Sequence, residues 1–153
     1  EHVGDGSKYG VDISISDEGL MPIGTANGIR KVLDTFNDDP FILVNADIWT
    51  NYLFIDLKAE LVENYLAHIV LVPKPSYAEG DFDLKDKRII IGKKYTYTGI
   101  GIYKPKIFKD YDDKELGSIL NKEKDINTEV YLGLWDDIGT PERLNAARKT
   151  ISL

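Results

Sequence analysis

The chain has 153 residues, 42% of them hydrophobic and 29% charged, with a formal net charge of -7 and no cysteine. That length supports one compact domain with its own core, and the composition is ordinary for a globular protein. The acidic balance argues against a general nucleic-acid binder, no apolar run is long enough to span a bilayer, and disulfides and thiolate metal sites are excluded.

A nucleotide enzyme survives these exclusions, because it needs only a local cationic patch or a metal. With no signal-like start, the cytoplasm is the default compartment. The chain opens at Glu1 and runs through His2-Val3 into Gly4-Asp5-Gly6. This reads as the tail of an element followed by a turn, either in a trimmed chain or with a structural unit upstream.

From Gly4 to Gly10 the sequence is turn-rich, and Val11 to Ile15 alternates apolar and polar as a half-exposed strand does. Gly24 to Phe36 carries Ile29, Val32, Leu33 and Phe36 at helical spacing, which predicts a helix starting in Gly24-Thr25-Ala26-Asn27-Gly28. Phe41-Ile42-Leu43-Val44 after Pro40 predicts a strand buried on both faces, as in a parallel sheet. Leu53 to Tyr65 is expected to be helical, and His68 to Val72 a second buried strand. Phe82 to Ile91 and Tyr95 to Tyr103, with Gly92 between, read as a pair of strands, in antiparallel arrangement. Lys114 to Lys122 is expected to be a helix and Trp135 to Ile138 a short strand. Thr140-Pro141-Glu142-Arg143 opens a last helix, with Thr as N-cap and Pro at the first helical position. The alternation implies an α/β domain over 1–153 with a mostly parallel sheet and a small antiparallel insertion. Ligands of such sheets bind beyond the carboxyl ends of the strands.

Asn45-Ala46-Asp47 follows one such strand directly, and Asp136-Asp137 ends another. A carboxylate in that place suits magnesium, which takes one or two carboxylates plus substrate phosphates; it equally suits a turn or a helix cap. Adjacent strand residues point to opposite faces, so at most one of Asp136 and Asp137 is expected in a site. Small residues at Gly24-Thr25 would let an anion or a base edge approach free N–H groups, or form a plain turn. Gly99 and Gly101 lie inside a strand pattern, where close approach of a sugar ring, a bulge or tight packing would require them. Lys93-Lys94 could meet a phosphate but fits a solvated surface, and His68 reads as structural.

In order, Gly4-Asp5-Gly6, Glu18, Gly24-Thr25-Ala26, Leu43-Val44-Asn45-Ala46-Asp47, Thr98-Gly99-Ile100 and Trp135-Asp136-Asp137-Ile138-Gly139-Thr140-Pro141 resemble the sugar-1-phosphate nucleotidyltransferases. Within them the chain looks most like the short N-acetylmuramate-1-phosphate uridylyltransferases of peptidoglycan recycling, with short mannose-1-phosphate guanylyltransferase-like proteins as close competitors and glucose-1-phosphate thymidylyl- or uridylyltransferases as a further alternative. The resemblance implies a Rossmann-like, GT-A-like domain that transfers a nucleoside monophosphate from a nucleoside triphosphate to a sugar 1-phosphate and releases pyrophosphate. It implies Mg2+ on Asp47 and Asp137, which are also the catalytic pair, the nucleobase against Gly24 and Thr25, and a sugar pocket lined by Gly80, Gly99 and Glu129.

Two departures stand out. The family's glycine-rich start and the Arg and Lys that follow it are absent, which makes this the C-terminal two-thirds of the domain. The chain alone is therefore expected to be inactive and to associate as a homodimer or with an N-terminal segment through an exposed strand edge. Ala26-Asn27 stands where the muramate-type enzymes tend toward consecutive glycines, a departure that bears on base and sugar preference. Two other functions compete: a non-catalytic nucleotide-sugar-binding module, and an interaction domain whose aspartates are caps.

Overall fold

The computed structural model describes residues 3–86 and 88–151; the readings of Glu1 and His2 fall outside them. In chain order the elements are α1 (Thr25–Arg30), β1 (Phe41–Val44), β2 (Ile48–Thr50), β3 (Ala67–Pro73), β4 (Phe82–Lys85), β5 (Arg88–Ile91), β6 (Tyr95–Tyr103), α2 (Lys106–Asp110), α3 (Leu116–Lys122), β7 (Ile126–Val130), β8 (Trp135–Asp137) and α4 (Pro141–Ile151). Among the described residues, six strands form one sheet in the order β5-β4-β6-β3-β7, with β1 beside the far half of β6. The remaining two, β2 and β8, form a separate antiparallel ribbon.

The α/β class follows from β3, whose apolar run serves two faces. Ala67, Ile69 and Leu71 point into a core closed by α1, α2 and α3, through Ile29, Ile107, Phe108, Ile119 and Leu120. Val70, one residue out of phase, joins Tyr52, Leu57, Val62, Ile100 and Ile102 on the other face. Side chains alternate along a strand, so only a strand covered on both sides needs such an unbroken apolar run.

The sheet is mixed, with fewer parallel pairs than the sequence suggested. β3 runs parallel to β7, while β1–β6, β3–β6, β4–β6 and β4–β5 are antiparallel. β1 is covered on one face only: Phe41 is buried but Ile42 is 45% and Val44 41% exposed. Its second edge has no partner among the described strands.

Several local expectations are corrected. Val11 to Ile15 forms no strand, because the turn before it claims its backbone: Val11 N–H bonds to Gly6 O at 3.3 Å and Ile13 N–H to Asp5 O at 2.7 Å. Leu53 to Tyr65 makes two 3-10 turns, Phe54–Asp56 and Ala59–Val62, instead of a helix. Leu57 and Val62 both face the core, yet residues five apart on an α-helix diverge by about 140°. Breaking the helix lets both point inward. Phe82 to Ile91 folds back on itself as the β4–β5 hairpin, turned at Asp86 with φ 51°. Asp tolerates that left-handed conformation, so no glycine marks the turn. The helix after Gly24 stops at Arg30 and resumes as a 3-10 turn at Leu33–Phe36.

Candidate active site

Asp47 and Asp137 are brought together by the β2–β8 ribbon. Ile48 is registered against Asp137, and Ile138 N–H bonds to Asp47 O at 2.8 Å. The two carboxylates converge on Gly139: a Cβ built there would lie 2.6 Å from Asp47 Oδ2 and 3.0 Å from Asp137 Oδ1. A side chain at Gly139 would therefore have to push the Asp47 carboxylate aside. The ribbon is held to the sheet by the Trp135 indole, which donates to Thr98 O at 3.0 Å.

The two aspartates are held differently. Asp137 Oδ1 accepts the Gly139 N–H at 2.8 Å and pairs with Arg143 Nη2 at 2.9 Å. Asp47 is exposed, and no side-chain hydrogen bond or ion pair engages its carboxylate among the described residues. Asp136 points the other way, as strand alternation requires, and accepts a hydrogen bond from the Tyr77 hydroxyl instead of being merely solvated. The Asp137 N–H donates to the same hydroxyl oxygen at 3.2 Å. Burial, then the bond to Asp136, pushes the Tyr77 phenol up to about 12, so it stays protonated and remains a donor at neutral pH. The Arg143 guanidinium lies 5.4 Å from the centre of the Tyr77 ring.

Gly99 adjoins this pair through Asn45. It sits where β6 bulges against β3, between the Ile69–Gly101 and Leu71–Tyr97 pairs, with φ +77°. A Cβ there would lie 2.6 Å from Asn45 Cγ, and Asn45 N–H bonds to Gly99 O at 2.8 Å. The close approach that calls for glycine here comes from the chain's own Asn45, two residues before Asp47.

The other sequence-picked residues occupy separate places. Gly24 and Thr25 line a cavity of about 540 Å³ with Pro22, Ile23, Asn27, Lys114 and Glu115. Gly24 has φ +90°, and a Cβ on it would come 2.6 Å from Lys114 O. The Ala26 N–H, which could have met a ligand, already bonds to Lys114 O at 2.9 Å. Asn27 ties the loop: it donates to Ile23 O at 3.0 Å and accepts from Arg30 Nη1 at 2.7 Å. Arg30 in turn donates to the carbonyls of Phe108 and Asp113, both at 2.8 Å, and of Tyr111. Gly80, with φ +81°, lines a cavity of about 420 Å³ together with Asp81, Gly92, Lys93, Tyr97 and Asn121. Lys93 and Lys94 are exposed and pair with Glu79 at 3.4 Å and Asp83 at 3.8 Å.

Glu129 opens on a further pocket, of about 480 Å³, at the opposite end of the ribbon from Asp47, with Asn51, Tyr52, Asp56 and Tyr131. It accepts a hydrogen bond from the Tyr52 hydroxyl and stands 4.0 Å from Nε2 of the buried His68. Burial lowers the His68 pKa, with the charge of Glu129 opposing.

The residues missed from sequence are Asn45, Tyr77 and Arg143. Arg143 was legible only as part of a helix start, and Tyr77 lies in the Lys74 to Asp81 loop, whose composition marks nothing. The donor set at Gly139 is oxygen only, two carboxylates with one of them free. It fits magnesium, which takes one or two protein carboxylates and completes its shell with water and phosphate. No larger cluster of His, Asp and Glu that could hold a metal occurs among the described residues, and no helix among them is long and apolar enough to cross a membrane.

Comparison with known proteins gives three similarities. The N-acetylmuramate alpha-1-phosphate uridylyltransferase of Neisseria meningitidis serogroup B is 33% identical over 164 residues, covering 95% of this chain and 70% of that protein. The mannose-1-phosphate guanylyltransferase catalytic subunit beta of Dictyostelium discoideum is 26% identical over 155 residues, covering 88% of this chain and 43% of that protein. A Bacillus anthracis structure, solved with sucrose under the name of a glucose-1-phosphate thymidylyltransferase, superposes with a TM-score of 0.80 over 97% of this chain and 68% of its own, at 20% identity. That likeness establishes the fold. No family model matches the chain.

Proposed function

Because this chain belongs to the sugar-1-phosphate nucleotidyltransferase family, we propose that it carries the metal and sugar-phosphate side of an enzyme that makes UDP-N-acetylmuramate and pyrophosphate from UTP and N-acetylmuramate 1-phosphate. The observation behind this reading is the convergence of Asp47 and Asp137 on Gly139. The choice of uridylyl and muramate chemistry follows the 33% identical relative.

Asp47 and Asp137 would hold the Mg2+, which when bound offsets charge on the phosphates and orients them. The chain's own residues do the rest. Gly139 N–H and Arg143 fix one oxygen of Asp137 and leave its second oxygen and the whole Asp47 carboxylate for the ion. Gly24 and Thr25 receive the base and the Gly80 cavity receives the sugar, while Gly99 acts through the Asn45 it packs against and Glu129 lines a separate pocket. An oxygen of the sugar phosphate attacks the α-phosphorus in line, a P–O bond forms, the α–β bridge breaks and pyrophosphate leaves. Positioning and charge neutralisation carry the rate, with no covalent intermediate.

Pyrophosphate release with Mg2+ tests this across UTP, GTP, dTTP and ATP, each against N-acetylmuramate, N-acetylglucosamine, mannose and glucose 1-phosphates. The assay runs on this chain and on the chain with a family glycine-rich segment joined ahead of it. Release from UTP with N-acetylmuramate 1-phosphate, in the extended protein, is the expected result. A different best pair keeps the transferase and replaces the substrates. Binding of nucleotide sugars without release from any pair would make the domain a non-catalytic module.

A further inference from the structure

We propose that Tyr77 and Arg143 are positioning residues for Asp137, a clamp that links the Lys74 to Asp81 loop to the carboxylate pair. This rests on the reading of Asp47 and Asp137 as a metal-binding pair. Asp137 ends a three-residue strand, too short to fix a side chain by ladder bonds alone, so its placement depends on what grips it from outside.

Two groups do so. Arg143, from the first turn of α4, pairs with Asp137 Oδ1 at 2.9 Å, and its planar guanidinium lies over the Tyr77 ring. A guanidinium can pair through its edge and stack through its face at once, which an ammonium cannot. The Tyr77 hydroxyl grips both neighbouring aspartates, donating to the Asp136 carboxylate and accepting the Asp137 N–H. Asp136 is thereby turned away and Asp137 held toward Asp47.

The loop that presents Tyr77 is itself pinned at both ends. Lys74 N–H bonds to Lys94 O at 2.9 Å and Asp81 N–H to Tyr95 O at 2.7 Å. Tyr77 stands three residues before Gly80, so a ligand that shifts this loop at the Gly80 cavity would shift the grip on Asp137 with it. Partners that orient a metal ligand typically change affinity about 10–100-fold when removed.

Tyr77→Phe isolates the effect: it keeps the ring under Arg143 and the charge of the site, and removes both hydrogen bonds. Mn2+ titration of this chain, read from the loss of the free-ion electron paramagnetic resonance signal, should show affinity about tenfold weaker in Tyr77→Phe. Arg143→Lys, which keeps the charge but loses edge and face together, should weaken it similarly, with the urea midpoint of both variants checking that they fold. Asp47→Asn is the reference and should abolish the site. Mn2+ affinity unchanged in Tyr77→Phe and in Arg143→Lys, with Asp47→Asn silent, would overturn the clamp alone. Binding that persists in Asp47→Asn would overturn the metal-pair reading on which it rests.

Discussion

Replacing Gly99 by alanine tests the link between the sheet and the carboxylate pair. Gly99 is buried with φ +77°, a conformation that costs an L-residue about 1–2 kcal/mol. The new methyl would also lie 2.6 Å from Asn45 Cγ and 2.7 Å from Asn45 Cβ, and overpacking of that kind costs about 1–3 kcal/mol. Together the loss is about 2–5 kcal/mol, read as a lower urea midpoint at unchanged slope. Because Asn45 Cβ is itself in the way, Asn45→Gly, and not Asn45→Ala, clears the space. In the double variant the steric part is recovered and the backbone part remains, a coupling of about 1–3 kcal/mol. Gly99→Ala within about 0.5 kcal/mol of the parent, or strict additivity in the double variant, would refute the contact.

Other expectations follow from the same geometry. Thr140→Ala removes the acceptor of the Arg143 N–H at 3.3 Å and should cost about 1 kcal/mol, measured by urea unfolding. Phe108→Ala empties a site 1% exposed where α2 packs on Phe41 of β1 and Tyr103 of β6 and should cost about 3–5 kcal/mol in the same measurement. Burial holds the phenols of Tyr97 and Tyr103 above the usual 10.0. The unfolded chain therefore gives up those protons first, and stability should be level below about pH 10 and fall above it, less steeply in Tyr103→Phe. The unpaired β1 edge, with Ile42 and Val44 exposed, should make the chain self-associate in sedimentation runs; Ile42→Lys should shift it toward monomer.

Strands were legible where burial was two-sided: β3 and the glycine-punctuated β6 announce themselves as apolar or β-branched runs. Pairing direction was not, because the Phe41 to Val44 run looks the same whether its neighbour is parallel or, as with β6, antiparallel. The helix expected over Leu53 to Tyr65 does not form, since Leu57 and Val62 reach one core only if it breaks. The carboxylates were visible as Asp47 and Asp137 after strands, but the ribbon that joins them spans three residues on each side, too few for a periodicity. Tyr77 acts across 59 or 60 residues of chain, to Asp136 and Asp137, and nothing local marks it. Asn27, half of the Ala26-Asn27 departure from the family's glycines, bonds to Ile23 O and accepts from Arg30.

The most direct measurement is the rate of pyrophosphate formation from UTP and N-acetylmuramate 1-phosphate in the protein carrying a glycine-rich segment ahead of this chain, as wild type, Asp47→Asn and Asp137→Asn. The account predicts that each substitution lowers the rate at least about a hundredfold while the protein stays folded. A rate within a few-fold of wild type in both variants would contradict it, and would leave the two aspartates as turn residues at the end of a short ribbon.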